Sequence, residues 1–417
     1  MAVSHGSLPF QEQIDYFRGK VNLPTRAWTD IYTAEHDYAF VVASAVKRDL
    51  LADLRGAVEK SIATGTTLEQ FRKDFDQVVG KHGWQYQGER GWRTNVIWET
   101  NLRQSYNAGR EAQMADPELR KRRPYGVYRH GDSAHPRPQH LAWNGITLPL
   151  DDPWWAYHTP QNGWGCKCKK YMASERDLVR MGLKVGPAPE IEWEDRVIGK
   201  NSPNGPRVVR VPKGIDPGFE HAPGQSRLSN SVPQLRADDS SLAPGKQPGA
   251  APGLSNGRPA GELPPPRSVP AGRLLPASTS APKAVAKFLG EFGADTAPTV
   301  FRDVTGDALV IGREMFNGAK SGAVQLEPHV LPRELPLLAE AIKAPDEVWA
   351  RLEWLPDQGK AVLRRRYLAH FQLKGQAVVA VFDQGADDWS GATGFVEDSE
   401  QYLEALRLGV RLYRRAE

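Results

Sequence analysis

The sequence predicts a multidomain protein: an N-terminal mainly α-helical bundle with an irregular Trp/His/Cys-rich module, a disordered Pro/Gly-rich linker, and a C-terminal α+β domain with an antiparallel sheet. Three observations carry that expectation. At 417 residues the chain exceeds what a single hydrophobic core usually organises. Apolar residues recur at helical spacing through roughly the first 115 residues, whereas short β-type runs appear after residue 284. Between Phe219 and Phe288 there is no Phe, Tyr or Trp, and Pro, Gly, Ser and Ala dominate stretches such as Ala243–Gly253 and Glu262–Pro276.

In the first part, Ala39, Phe40, Ala43, Val46, Leu50, Leu51 and Leu54 make one apolar stripe, with Thr33 ahead of it as a cap. Thr66-Thr67-Leu68-Glu69 has capping-box spacing, and Leu68, Phe71 and Phe75 follow at helical intervals. A third helix is expected from about Arg90 to Met114, closed by Asp116-Pro117, because proline disfavours helical geometry in the residue before it. From Tyr125 to Tyr171 a dense run of Trp, Pro, Gly, Asn, His and Cys reads as an irregular, side-chain-stapled module, and Val208–Val211 as a short strand. These segments define a first domain, 1–215.

Residues 216–284 form the predicted linker, since such a composition cannot bury enough apolar area to offset roughly 1–2 kcal/mol of backbone entropy per residue. Beyond it, in 285–417, Ala284–Phe292 and Pro332–Ala341 suggest short helices, and Ala323–Leu326, Arg351–Leu355, Arg365–Leu373 and Gln376–Phe382 suggest strands. Lys374-Gly375 sits between the last two like a hairpin turn, and a helix is expected from about Ser399 to Leu408.

No apolar run approaches the roughly 18 residues a membrane span needs, and Met1–Pro9 has no basic stretch followed by an apolar one, so a cytoplasmic origin is expected. The formal charge of +4 is small for this length and does not mark a nucleic-acid coat.

Two constellations could carry chemistry. In the first, His130, Asp132, His135, His140, His158, Cys166 and Cys168 lie close in sequence among Trp143, Trp154, Trp155 and Trp164. Thiolates and imidazoles are preferred zinc ligands, and one residue between the cysteines makes a disulfide geometrically poor. The metal reading is a structural zinc on His140, Cys166 and Cys168, with the fourth ligand among Asp132, His135 and His158. The alternative is that these histidines hydrogen-bond within a Trp-rich core and the thiols are inert.

These residues also carry a resemblance. Pro9-Phe10-x-Glu12-x-Ile14-x-Tyr16-Phe17-Arg18-x-Lys20, Trp28, Glu35-His36 with Phe40, and Gly65-Thr66-Thr67-Leu68-x-x-Phe71 resemble the Mu F family of phage head morphogenesis proteins. So do Glu99-Thr100-Asn101 with Tyr106-Asn107-Ala108-Gly109-Arg110, and the run from Arg137-Pro138-x-His140 to Cys166-x-Cys168. The resemblance covers about residues 9 to 175 and departs at Lys167, where many members carry Arg. It implies a phage minor head protein that assists capsid assembly near the portal. Portal or major capsid protein would be its partners, and the virion interior or portal vicinity its place after assembly in the host cytoplasm.

The second constellation comprises His329, Glu347, Trp349, Arg364-Arg365-Arg366-Tyr367, His370 and Thr393-Gly394-Phe395. Metal-independent RNA cleavage needs an acid or base near neutral pKa, cations for developing phosphorane charge, and a hydroxyl to position phosphate. Strand alternation puts Arg365, Tyr367 and Ala369 on one face and Arg364, Arg366, Leu368 and His370 on the other, so not all the arginines can aim at one site.

With Gly391-Ala392-Thr393-Gly394-Phe395, Tyr402, Gly409 and Tyr413, this region is similar to the phage-borne barnase, EndoU, colicin E5/D and RelE nuclease group over about residues 285 to 415. That resemblance implies His329 as general acid/base, Arg365 or Arg366 as phosphate clamp and Thr393 as phosphate-positioning hydroxyl, with Glu347 a further candidate. The alternative is a purely structural head protein whose rear domain contacts packaged DNA or protein without catalysis. A smaller feature is the stripe Glu99, Arg103, Asn107 and Arg110, followed by Lys121, Arg122 and Arg123, which reads either as a solvated, ion-paired face or as a contact for DNA or an acidic portal surface.

Overall fold

The computed structural model describes residues 10–228 except 134 and 204, and residues 263–416 except 270–271, 317–323, 325, 327–330, 356–359, 374–375, 385–391 and 398–405. The chain divides into two compact units. One comprises Met1–Asn22, Ala27–Ser44 and Leu50–Val232, the other Leu23–Arg26, Ala45–Asp49 and Pro233–Glu417.

The first unit opens with α1 (Gln11–Arg18), then pairs β1 (Val21–Asn22) in parallel with β2 (Ala39–Phe40). The helix expected to begin after Thr33 starts only at Arg48, as α2 (Arg48–Thr64). Thr33 and Ser44 both take positive φ, which an α-helix cannot continue through, and Ala39 and Phe40 enter the core from extended backbone instead. Helix α3 (Leu68–His82) starts where the sequence indicates, with the Thr67 hydroxyl accepting from the Gln70 amide at 3.3 Å. Helix α4 (Arg90–Met114) has the expected length, and Asp116 caps α5 (Pro117–Arg122) with Pro117 in its first turn.

Helix α1 packs against α4 at Gly109, where a Cβ would come within 2.8 Å of the Gln13 amide nitrogen and 2.9 Å of the Phe10 ring. Close approach is what the glycine in Asn107-Ala108-Gly109 supplies.

The Tyr125 to Tyr171 stretch, expected to be irregular, is built on a small antiparallel sheet of order β4-β3-β5. Its strands are β3 (Tyr125–Arg129), β4 (Thr147–Pro149) and β5 (Lys169–Ala173). Short helices α6 (Pro138–Ala142) and α7 (Trp155–His158) fill the crossings, and α8 (Glu175–Met181) follows. The predicted strand at Val208–Val211 is β7 (Arg207–Pro212), paired with β6 (Trp193–Ile198).

The stretch expected to start the linker at 216 folds with the first unit. Phe219 and Ala222 are buried, and α9 (Gln225–Leu228) is tied down by Asp37, whose carboxylate accepts from the Gly224 amide at 2.8 Å, Ser226 Oγ at 2.5 Å and Tyr16 Oη at 2.8 Å. Specific hydrogen bonding of this kind anchors a Pro/Gly-rich segment that has little apolar surface of its own. At the other end, β8 (Arg267–Ser268) pairs in parallel with Phe371 and Gln372. Residues 229–262, the middle of the expected linker, lie outside the described ones.

In the second unit, α10 (Ala281–Gly290) buries Ala284, Val285, Phe288 and Leu289, and a hairpin of β9 (Thr299–Arg302) and β10 (Ala308–Ile311) follows. Helix α11 (Leu335–Lys343) precedes a sheet of order β14-β13-β12-β11-β15, antiparallel at every pairing along that path. Its strands are β11 (Glu347–Leu355), β12 (Lys360–Leu373), β13 (Gln376–Gln384), β14 (Ala392–Glu397) and β15 (Val410–Arg414). The expected helix at 399–408 falls mostly outside the described residues, as do the Lys374-Gly375 turn and half of the 323–326 strand. The last element is β15, which the sequence reading missed. No described helix is long and apolar enough to cross a membrane.

Candidate functional site

In the first unit the site is assembled from three loops. Arg137 reaches the Trp164 carbonyl at 3.1 Å and Asp216 Oδ2 at 2.6 Å, and the same Asp216 oxygen accepts from the Trp164 amide at 2.9 Å. This clasp fixes the turn that presents the cysteines. Pro138 starts α6, which turns His140 inward to stack on Trp143 with ring centroids 5.2 Å apart. The His140 Nδ1 atom lies 3.6 Å from Cys166 Sγ and 3.7 Å from Cys168 Sγ, and its Nε2 lies 2.9 Å from the Gly214 carbonyl oxygen. All three side chains are buried, with their ligand atoms within 4.8 Å of one another.

The cysteines are free thiols in a core formed by Tyr128, Leu148, Trp154 and Phe219 among others. Hydrogen bonding to Cys166, supported by His140 and Tyr128, holds the Cys168 thiol well below the usual thiol range, while hydrogen bonding to Cys168 and burial push Cys166 up. Cys168 and Lys169 also line a cleft of about 640 Å³ with Trp98, Leu102 and Tyr106.

This arrangement can hold a metal ion through three protein ligands. None of the residues expected to supply a fourth joins the cluster. Asp132 and His135 are exposed. His158 stacks on Trp154 at 4.0 Å and places Nδ1 3.0 Å from the Trp154 carbonyl, and burial lowers its pKa to about 4. For His158 the expected alternative, a histidine satisfied within the tryptophan core, describes the geometry.

Sequence reading missed the buried pair beside this module. Lys170 Nζ meets Glu111 at 2.6 Å, joining β5 to α4, and only alternation of Lys169 and Lys170 along a strand hinted at it. On α4 the expected polar stripe is largely paired, Arg103 with Glu99 at 2.8 Å and Arg110 with Gln113 at 2.6 Å, while Asn107 is buried.

In the second unit the alternation along β12 separates the adjacent arginines. Arg365 meets Asp303 at 2.9 Å and Asp307 at 2.6 Å, and Tyr367 Oη donates to the same Asp303 oxygen at 2.8 Å. That cluster staples the β9–β10 hairpin to the sheet. Arg366 faces the other way, opposite Trp349 in the register, and donates to the Leu406 carbonyl at 3.3 Å. Both guanidinium groups are buried, at 1% and 2% exposure.

Glu347 shares the Arg366 face, where its carboxylate receives Arg407 at 2.7 Å, Trp349 Nε1 at 2.8 Å and Arg411 at 3.5 Å. The Thr393 position in β14 stands opposite Val381, which stands opposite Leu368, which stands opposite Glu347, so all four occupy one row across the sheet. His329 and the Thr393 side chain lie outside the described residues. Asp303, Asp307 and Arg407, which complete the two buried clusters, went unnoticed because their partners are about 60 residues away.

Comparison with known proteins bears on both halves. Residues 52–171 match the family described as phage Mu protein F like protein, and residues 287–414 match the family described as phage-Barnase-EndoU-ColicinE5/D-RelE like nuclease2. The putative capsid assembly protein F of Escherichia phage Mu is 30% identical over 192 residues, 43% of this chain and 43% of that protein. The Mu-like prophage FluMu F protein of Haemophilus influenzae is 29% identical over 229 residues, 50% of this chain and 55% of that protein. The chain thus spans about half the length of the curated relatives it matches. No solved structure matches it. The His140, Cys166 and Cys168 cluster falls inside the first match and the Arg366 face inside the second, so one polypeptide joins a segment similar to phage Mu protein F and a segment similar to the phage barnase, EndoU, colicin E5/D and RelE like nucleases.

Proposed function

We propose that the protein assists phage head assembly near the portal, its front domain (1–215 with the segment that α9 ends) docking to portal or major capsid protein and becoming part of the virion. The observation that carries this reading is the match of residues 52–171 to the Mu F family over the segment that builds the Trp/His/Cys module. A rigid, aromatic-packed module suits a preformed docking surface. A zinc ion on His140, Cys166 and Cys168 would stiffen it further. The test is incorporation: virions made with a chain lacking residues 9–175 should contain none of it, and their retention of the rear half would remove the reading.

The rear domain (285–417), tethered through 229–262, is proposed to be an RNase-like module acting on host RNA or contacting packaged DNA. One feature supports an anionic ligand on the Arg366 face: the nuclease-family match over the residues that bring Arg407 and Arg411 to Glu347. In this reading His329 is the acid/base, Arg366 the phosphate clamp and Thr393 the positioning hydroxyl. Glu347 holds Arg407 and Arg411 in place, and Arg365 belongs to the hairpin staple. RNA left intact by stoichiometric full-length protein of verified fold would remove catalysis and favour the structural alternative. Cleavage lost in His329→Ala and kept in a similarly stable surface variant would support it.

A further inference from the structure

The hydrogen-bonding capacity of His140 is the starting point. Its Nε2 atom faces the Gly214 carbonyl oxygen at 2.9 Å, and a carbonyl can only accept, so Nε2 carries the proton. In the neutral ring Nδ1 is then left with one in-plane lone pair. Two sulfur atoms, 3.6 and 3.7 Å away, converge on that single lone pair. One S–H donor would satisfy it, and the other thiol can then donate to the neighbouring sulfur. A cation at the centre of the three atoms would draw on all three lone pairs at once.

The spacing fits zinc. Bonds of about 2.3 Å to sulfur and 2.0–2.1 Å to nitrogen at a tetrahedral angle place S and N about 3.6 Å apart. An imidazole whose remote nitrogen donates to a backbone carbonyl is also the arrangement that orients a histidine ligand. Disulfide formation does not compete, because one residue between the cysteines closes too tight a ring.

The fourth position is different. Among the described residues no further His, Cys, Asp or Glu reaches the cluster, and the three sequence candidates are exposed or stacked elsewhere. Cys168, alone of the three ligands, lies on the wall of the 640 Å³ cleft. We propose that His140 Nδ1, Cys166 Sγ and Cys168 Sγ bind one zinc ion whose fourth coordination position is open to an exogenous monodentate donor, with water there at rest and imidazole or a thiolate able to replace it. This deepens the zinc reading of the cluster and is independent of the role in head assembly.

The experiment uses the untagged full-length protein. Metal analysis should find about one zinc per chain, falling below ~0.1 in Cys166→Ser/Cys168→Ser, and X-ray absorption should report two sulfur and two lighter donors. Asp132→Asn, His135→Gln and His158→Gln should each keep the metal, and adding imidazole to the cobalt(II)-substituted protein should shift its visible spectrum. Wild-type protein without zinc or cobalt uptake overturns the metal site and the open position together. Zinc that is bound but lost in one of those three single variants, or a cobalt spectrum indifferent to imidazole, overturns the open position alone.

Discussion

Arg365 and Arg366 show how one residue step changes a role. Arg365 sits between Asp303 and Asp307 with no solvent access, a geometry that spends its charge on two carboxylates. Removing one partner of a buried pair typically costs about 3–5 kcal/mol, because the remaining charge stays desolvated. Arg365→Ala is therefore expected to lower unfolding stability of the rear unit by about 3 kcal/mol in urea titrations. Loss of RNA binding without loss of stability would reassign Arg365 to the ligand face.

Titration offers a second test at this scale. Burial, reinforced by Lys20 and His221, lowers His36 from 6.5 to about 3, and burial first of all brings Lys20 from 10.5 to about 7. Both folded-state values lie below the unfolded ones, so the unfolded chain binds the extra protons. Stability contributed by His36 is complete above pH 6.5 and is lost as pH falls toward 3; that linked to Lys20 is lost between pH 10.5 and 7. Denaturation at pH 6.5 and pH 5 should differ by about 1–2 kcal/mol, and His36→Gln should remove part of that difference.

At the level of elements, the loop crossings decide the module more than the strands do. The backbone of Gly131 presses against the Lys167 carbonyl between the two cysteines, and a Cβ at Gly131 would overlap that carbonyl. Gly131→Ala should force residues 130–132 away from the cysteine turn, at a cost of about 2–3 kcal/mol by overpacking. Thermal unfolding of the variant would show it, and an unchanged transition would mean that the two loops separate freely. Helix α2 makes the opposite point. Its apolar stripe was legible but its start was not, because the positive φ at Ser44 breaks a pattern that periodicity alone extends back to Thr33.

For the whole molecule, the composition of residues 229–262 and the two compact units that flank it predict preferential proteolysis at Arg236 and Lys246. Brief trypsin digestion should yield a front fragment that retains α9 and a rear fragment that retains β8. Cleavage first within α4 or β12 would contradict two independently stable units. Anchoring by Asp37 and pairing with β12 predict that the residues up to 228 and from 267 resist the protease.

What the sequence determined by itself follows from local rules. Periods of 3.6 and 2 located α3, α4 and the central hairpin strands, the aromatic-free stretch separated two units, and residue chemistry singled out His140, Cys166 and Cys168, which the fold gathers into a cluster that could hold a metal ion. The family resemblance, carried by the Arg137 to Cys168 motif, was legible for the same reason: short fixed spacings survive in the sequence. Tertiary structure alone decided that His158 stacks on tryptophan instead of joining the thiols, that Asp303 and Asp307 claim Arg365, and that Arg407 claims Glu347. Those choices depend on pairings tens of residues apart, where burial makes an unpaired charge or lone pair expensive and no local pattern records the partner.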